Sequence, residues 1–352
     1  MKEGVSVPEN RSRKIASRMV VLSGISIASG AILIPLTIVW IIQPPSFGYL
    51  TPMFTLISLV IIQIGVQKLR YGLEVKWLSV DASFTDYLRD TLPKVIFSDV
   101  VLLIMIVLTI LLRMIEITSI MLLLLINGLI ISFLIIMMFS LRTASRLPRG
   151  FRSMRSDRHP LIWDLLDKSK TKVRSIGFLD YPGLRKFNAF QWGTGNNSII
   201  ALSDELENVL DEKELAAVAA HELGHVYYRH FPKLLIVSII PPLFLTNFLF
   251  VFLSFDLGST WVESQKMLFL LFVGFLVLGY PTLFIPWITR RWESKADLYA
   301  ASLVGAESIA SALKKLVEHN IVYANIPKRL EFLISHPILK TRLDSISTTD
   351  EN

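Results

Sequence analysis

The chain has 352 residues, 52% of them hydrophobic, a mean hydropathy of +0.53 and a net charge of +7. That apolar share exceeds a soluble globular composition and points to a membrane. With no cysteine in the chain, a disulfide framework and thiolate metal ligands are both excluded, and any metal must be held by histidine and carboxylate. The basic residues crowd the ends of hydrophobic segments and form no aromatic-interleaved surface, so the charge is assigned to membrane orientation and not to nucleic acid.

A helix needs about 20 apolar residues to cross the hydrocarbon core with its backbone groups satisfied. The first qualifying stretch, Met19 to Ile42, follows Arg11, Arg13, Lys14 and Arg18. It is too long for a signal peptide and lacks a small-residue cleavage pattern, which predicts a retained anchor. Tyr49 to Val66 is the second. Val95 to Leu112 carries Asp99, and only Arg113 to Glu116 separates it from the fourth, Ile117 to Leu141, which predicts a tight hairpin. Leu234 to Phe255 and Met267 to Thr289 complete six expected spans.

Lysine and arginine in short loops set orientation. The loop Gln43 to Phe47 has no charge, whereas Gln67 to Lys94 carries Lys68, Arg70, Lys76, Arg89 and Lys94. After the fourth span, Arg146, Arg149, Arg152, Arg155 and Arg158 recur at every third residue, and Arg290 and Arg291 close the sixth. Six spans put all these loops on one side, so both termini and the long polar stretches are expected in the cytoplasm, the arginine run anchoring against anionic head groups. The expected organisation is an N-terminal hairpin and loop over 1–94, a second hairpin over 95–141, a catalytic half over 142–233, an inserted hairpin over 234–289 and a second catalytic half over 290–352. The two polar halves together hold about 150 residues, enough for one compact domain.

Asp211 to His230, "DEKELAAVAAHELGHVYYRH", reads as a helix with acids in its first turn and apolar residues at helical spacing. On such a helix His221 and His225 lie one turn apart on one face, within reach of one tetrahedral Zn²⁺. Glu222 follows the first ligand and can act on a zinc-bound water as general base. His230, nine residues past His221, falls on nearly the opposite face and is excluded as a ligand. A third ligand must come from elsewhere, leaving a position for water. The stretch "RRWESKADLYAASLVG" offers Glu293, with Asp297 one turn on, facing the same way and suited to accept a ring N–H from a ligand histidine. Away from a histidine pair these would read as surface carboxylates beside Arg291 and Lys295.

The runs "NAFQWGTGNNSIIALSDELENVLDEKELAAVAAHELGHVYYRH", "ESKAD" and "SHPILKTRLDSI" resemble the integral-membrane zinc metallopeptidases typified by the heat-shock protease HtpX and the CAAX prenyl endopeptidases, metallopeptidase family 48. The resemblance covers roughly Phe187 to Ser345, less the inserted hairpin. It implies one zinc per chain on His221, His225 and Glu293, Glu222 as base, and Asp297 behind a ligand. It also implies that Asn188 and His336 contact the substrate backbone or the developing oxyanion, with Arg342 supporting the His336 segment. The fold expected is an α-helical integral membrane protein of about six spans, with a mainly α (α+β) zincin-like catalytic domain on the cytoplasmic side. Asn188 is expected to start a strand paired with "SIIALS", whose free edge would hold an extended peptide.

The activity implied is zinc-dependent endoproteolysis, acting on peptides or membrane proteins in quality control, with the bilayer as the other partner. HtpX-like members are expected to have four spans and the prenyl endopeptidases seven, so six fits neither, but the hairpin between His225 and Glu293 favours the HtpX-like arrangement. The alternatives are maturation of one lipid-modified or membrane-anchored precursor, and a peptidase-domain sensor-transducer. No residue pattern speaks to oligomeric state.

Overall fold

A computed structural model describes residues 150–169, 171–179, 188–254, 279–319 and 328–347, with scattered positions before residue 130 and between 260 and 276. The chain divides into two compact units, one built from Met1–Ser17, Ile136–Val237 and Pro286–Asn352, the other from Arg18–Ile135 and Ser238–Ile285. Most of the first four expected spans lies outside the described residues, as does part of Met267 to Thr289 before residue 279. Among the described residues no helix is long and apolar enough to cross a membrane. The helix through the fifth expected span is described along its backbone, with only part of its side chains beyond Val237.

The first unit is built on a four-stranded sheet of β1 (Phe151–Ser153), β2 (Ser175–Leu179), β3 (Ala189–Trp192) and β4 (Ile199–Ser203). Its spatial order is β1-β2-β4-β3. β1 and β2 are antiparallel, β2 and β4 parallel with Ser175 opposite Ile199, and β3 and β4 antiparallel with Ala189 opposite Leu202. Every residue of β4 is buried, the reason its Ile199-Ile200-Ala201-Leu202 run is continuous and not alternating, since a central strand covered on both faces has no wet side. β3 is left at the edge. Gly177 has no alternative in β2: a Cβ there would stand 2.2 Å from the Arg152 carbonyl oxygen of the neighbouring strand.

The helices of this unit are α1 (Pro160–Ser169), α2 (Asp204–Val209), α3 (Glu212–Tyr227), α5 (Ile285–Val304), α6 (Ala306–His319) and α7 (Leu339–Ser347), while α4 (His230–Ser254) begins in it and runs on into the second unit. α3 packs against α1, α6, β3 and β4, and Leu215 through Ala220 and Leu223 are all buried. A helix surrounded in this way has no polar face to spare, and its alanines let four neighbours approach at once. Its start is fixed by a capping box: the Asp211 side chain accepts from Glu214 N at 2.9 Å and the Glu214 carboxylate accepts from Asp211 N at 2.8 Å.

The expected helix over Asp211 to His230 is shorter than its periodicity suggested. It stops at Tyr227, and Arg229 adopts a left-handed φ of 55°. That turn breaks the helical run between His225 and the start of α4 at His230.

Candidate metal centre

Three elements converge on the histidines: α3 supplies His221, Glu222 and His225, α5 supplies Glu293 and Asp297, and α7 supplies Arg342. Their close approach depends on two small residues. A Cβ on Gly224 would lie 3.0 Å from the Ala296 Cα, so α3 and α5 cross almost backbone to backbone between His225 and Glu293.

The Nε2 atoms of His221 and His225 face each other at 3.1 Å. His221 Nε2 is 3.4 Å from Glu293 Oε2, and His225 Nε2 is 3.5 Å from Glu293 Oε1. Glu293 is buried, with Oε2 3.4 Å from His221 Nε2 and 3.0 Å from His336 Nδ1, so imidazole nitrogens surround its carboxylate. A buried carboxylate is costly unless charges or donors compensate it. Among the described residues, these three, His221, His225 and Glu293, bring their ligand atoms close enough together to hold one ion. Tetrahedral zinc with bonds of ordinary length separates its ligand atoms by about 3.3 Å, so the observed spacings and the two-nitrogen, one-carboxylate donor set fit that metal.

Behind His221, the Nδ1–H donates to Asp297 Oδ1 at 2.8 Å. Asp297 is fully buried and takes a two-pronged bond from Arg342, Nε to Oδ2 at 2.8 Å and Nη2 to Oδ1 at 2.5 Å. Behind His225, Nδ1 lies 2.7 Å from His230 Nδ1. His336, half exposed, brings its Nδ1 to 3.0 Å from Glu293 Oε2.

Electrostatics follow from this burial and pairing. Burial alone would lower the His221 pKa, but the hydrogen bonds and charges of Asp297 and Glu293 outweigh it and raise it to about 10. His225 is driven down to about 3, by burial first and then by the charge on His221. Burial pushes Glu293 up, yet His336 and His221 hold it well below the usual carboxylate range. Asp297 is likewise held low by Arg342 and His221 against its burial. Glu222 goes the other way: burial raises its carboxyl to about 7, with Glu293 adding to the rise and His221, His336 and Arg342 opposing it.

The structure thus brings His221, Glu222, His225, Glu293, Asp297, Arg342 and His336 to one place. It places Asn188 immediately before β3, where its N–H donates to Ser203 Oγ at 3.1 Å and its carbonyl accepts from Ser203 N at 2.8 Å. The Arg342 guanidinium is turned to Asp297. The backbone leading to His336 is held by Arg290, whose Nη1 donates to the carbonyls of Glu331, Phe332 and Ile334 at 2.9, 3.1 and 2.8 Å. Sequence reasoning missed both Arg290 and His230. For Arg290 its position one turn before Glu293 was the available signal; for His230 an uninterrupted helix was the wrong premise.

Two imidazoles, one carboxylate and an adjacent buried glutamate make the donor set and base of a metallopeptidase. The chain belongs to peptidase family M48, whose family model matches residues 164–350. Among curated proteins it is similar to the protease HtpX of Baumannia cicadellinicola subsp. Homalodisca coagulata, 29% identical over 45% of this chain and 62% of the relative. It is also similar to protease HtpX homolog 1 of Saccharolobus solfataricus, 29% identical over 44% and 52%, and to the Neisseria gonorrhoeae HtpX homolog, 32% identical over 44% and 60%. The matched region spans little more than half to six tenths of those relatives. In fold, the chain is similar to the crystal structure of S. mikatae Ste24p, at 15% identity, with 97% of this chain and 99% of that one covered and a TM-score of 0.50.

Proposed function

We propose that this protein is a membrane-embedded zinc metalloendopeptidase that hydrolyses peptide bonds at the cytoplasmic membrane face in membrane-protein quality control. The observation that carries the reading is the pair of Nε2 atoms 3.1 Å apart, each within 3.5 Å of an oxygen of the buried Glu293 carboxylate. His221, His225 and Glu293 would hold the ion. When bound, zinc supplies Lewis-acid polarisation of a water and of a peptide carbonyl.

The chain's own residues do the rest. Glu222, its carboxyl raised to about 7 by burial, is poised to take a proton from the attacking water and return it to the departing amine near neutral pH. His336 stands 3.0 Å from Glu293, close enough to the centre to donate to the oxygen that becomes charged. Asp297 fixes His221 with its Nε2 toward the ion, and Arg342 compensates the buried carboxylate. β3, at the sheet edge and packed against α3, offers backbone pairing to an extended substrate.

The membrane assignment is supported by the six apolar stretches, and the cytoplasmic one by the arginine run. The inserted hairpin over 234–289, between the ligands, favours membrane-protein substrates whose loops are drawn out as strands. The test is Glu222→Gln, which should retain about one zinc per chain, abolish hydrolysis, and trap substrates for crosslinking and mass spectrometry. A broad set of trapped membrane proteins supports quality control. One dominant precursor cut at a single bond would replace it with a maturation role, and unimpaired proteolysis by Glu222→Gln would end the peptidase reading.

A further inference from the structure

We infer that His230 is a positioning residue for His225, accepting the hydrogen on its rear nitrogen and so turning Nε2 to the metal. The inference rests on the proposed metal site and concerns a residue outside the ligand set. A histidine that ligates through Nε2 carries its hydrogen on Nδ1, and that hydrogen needs an acceptor to fix ring and tautomer. For His221 the acceptor is Asp297. For His225 the atom in place is His230 Nδ1, 2.7 Å from His225 Nδ1. The hydrogen then lies on His225, and the His230 ring is held in its Nε2–H tautomer with Nδ1 accepting.

The fold builds this contact deliberately enough to require three features. The left-handed Arg229, φ 55°, turns the chain so that a residue five positions beyond the ligand comes back to it, which a continuous helix does not allow. The His230 ring is 5% exposed. It lies parallel to the Trp292 ring, 5.2 Å between centroids at 9°, and to Tyr228 at 5.5 Å and 16°. Two flat faces leave an imidazole freedom only in its own plane, the plane in which Nδ1 meets His225. Trp292 immediately precedes Glu293, so the helix that supplies the third ligand also clamps the ring behind the second.

The two supports differ in charge. Asp297 is a carboxylate compensated by Arg342, whereas a neutral imidazole adds no further negative charge behind a site that already holds Glu293. His230 would therefore orient the ligand without making it more electron-rich.

The test measures zinc affinity of the full chain in detergent by competition with a chromophoric chelator, and the visible spectrum of the Co²⁺-loaded protein, for His230→Ala, His230→Phe and His230→Asn. His230→Phe keeps a flat ring between Trp292 and Tyr228 but has no acceptor, whereas His230→Asn keeps an acceptor near the Nδ1 position without the ring. We expect Ala and Phe to weaken zinc binding by about 10–100-fold and to shift the Co²⁺ bands, and Asn to restore most of the affinity. If His230→Ala does not fold, the Phe and Asn pair decides. Wild-type affinity in His230→Phe together with loss in His230→Asn would make His230 a packing residue and overturn the inference. Wild-type affinity in all variants would overturn it while leaving the metal site standing; a wild-type chain that binds no zinc would remove both.

Discussion

At His221, two opposing effects meet and the partners win. Burial disfavours the imidazolium, but Asp297 at 2.8 Å and Glu293 at 3.4 Å raise its pKa to about 10. A ligand must be neutral at its coordinating nitrogen, so zinc uptake at neutral pH has to expel this proton. The sign follows: zinc affinity rises with pH up to about 10 and falls below it, by about tenfold per pH unit for one displaced proton. Titration calorimetry at pH 8 in buffers of differing ionisation enthalpy should show close to one proton released per zinc. Equal heats in all buffers would remove the charged His221 from the metal-free protein.

At the scale of elements, the site is a crossing of α3 and α5, and Gly224 sets how close they come. Alanine is ordinarily preferred to glycine within a helix by about 0.5–1 kcal/mol. At Gly224 a Cβ would meet backbone, the Ala296 Cα at 3.0 Å, so one helix has to yield by a few tenths of an ångström just where the proposed ligands face each other. Gly224→Ala is expected to weaken zinc binding at least tenfold while shifting the melting temperature of the zinc-free protein little. Unchanged affinity in a chelator competition would show that the ligands tolerate the shift.

The other end of α3 is tied to α6. Glu214 accepts from Ser311 Oγ and from Lys315 Nζ, each at 2.7 Å. Burial raises the Glu214 carboxyl, but the bonds from Lys315, Ser311 and the Asp211 N–H outweigh it and leave its pKa below the ordinary value. A lowered carboxyl contributes stability above its ordinary pKa, and that stability is lost as pH falls through the lowered one. Glu214→Gln should therefore lower the melting temperature at pH 7 and converge with wild type as acid protonates the carboxylate. A gap that stays constant down to the acid limit would assign the effect to packing.

For the whole molecule, the proposed cytoplasmic placement of the site is directly measurable, because the chain has no native cysteine. Ser153 lies exposed at the end of β1 in the unit that carries the site. In Ser153→Cys, an impermeant thiol reagent should leave intact cells unlabelled and react after lysis. Labelling of intact cells would invert the orientation and put hydrolysis outside.

By itself the sequence determined the chemistry. His221-Glu222-x-x-His225 at one-turn spacing, Glu293 with Asp297 a turn further on, and the strand pair around Asn188 and Ser203 were legible because helical and strand periodicities are local properties of the chain. The all-buried β4 could be read as strand for the same reason. Only the tertiary structure decided what stands behind each proposed ligand. Arg342 closes on Asp297 from 45 residues away, and Arg290 grips the backbone before His336 across a similar gap. His230 returned to His225 because Arg229 took a left-handed turn that an uninterrupted helical pattern gave no reason to expect. Such contacts depend on where separate elements meet, and on single backbone angles, neither of which periodicity records.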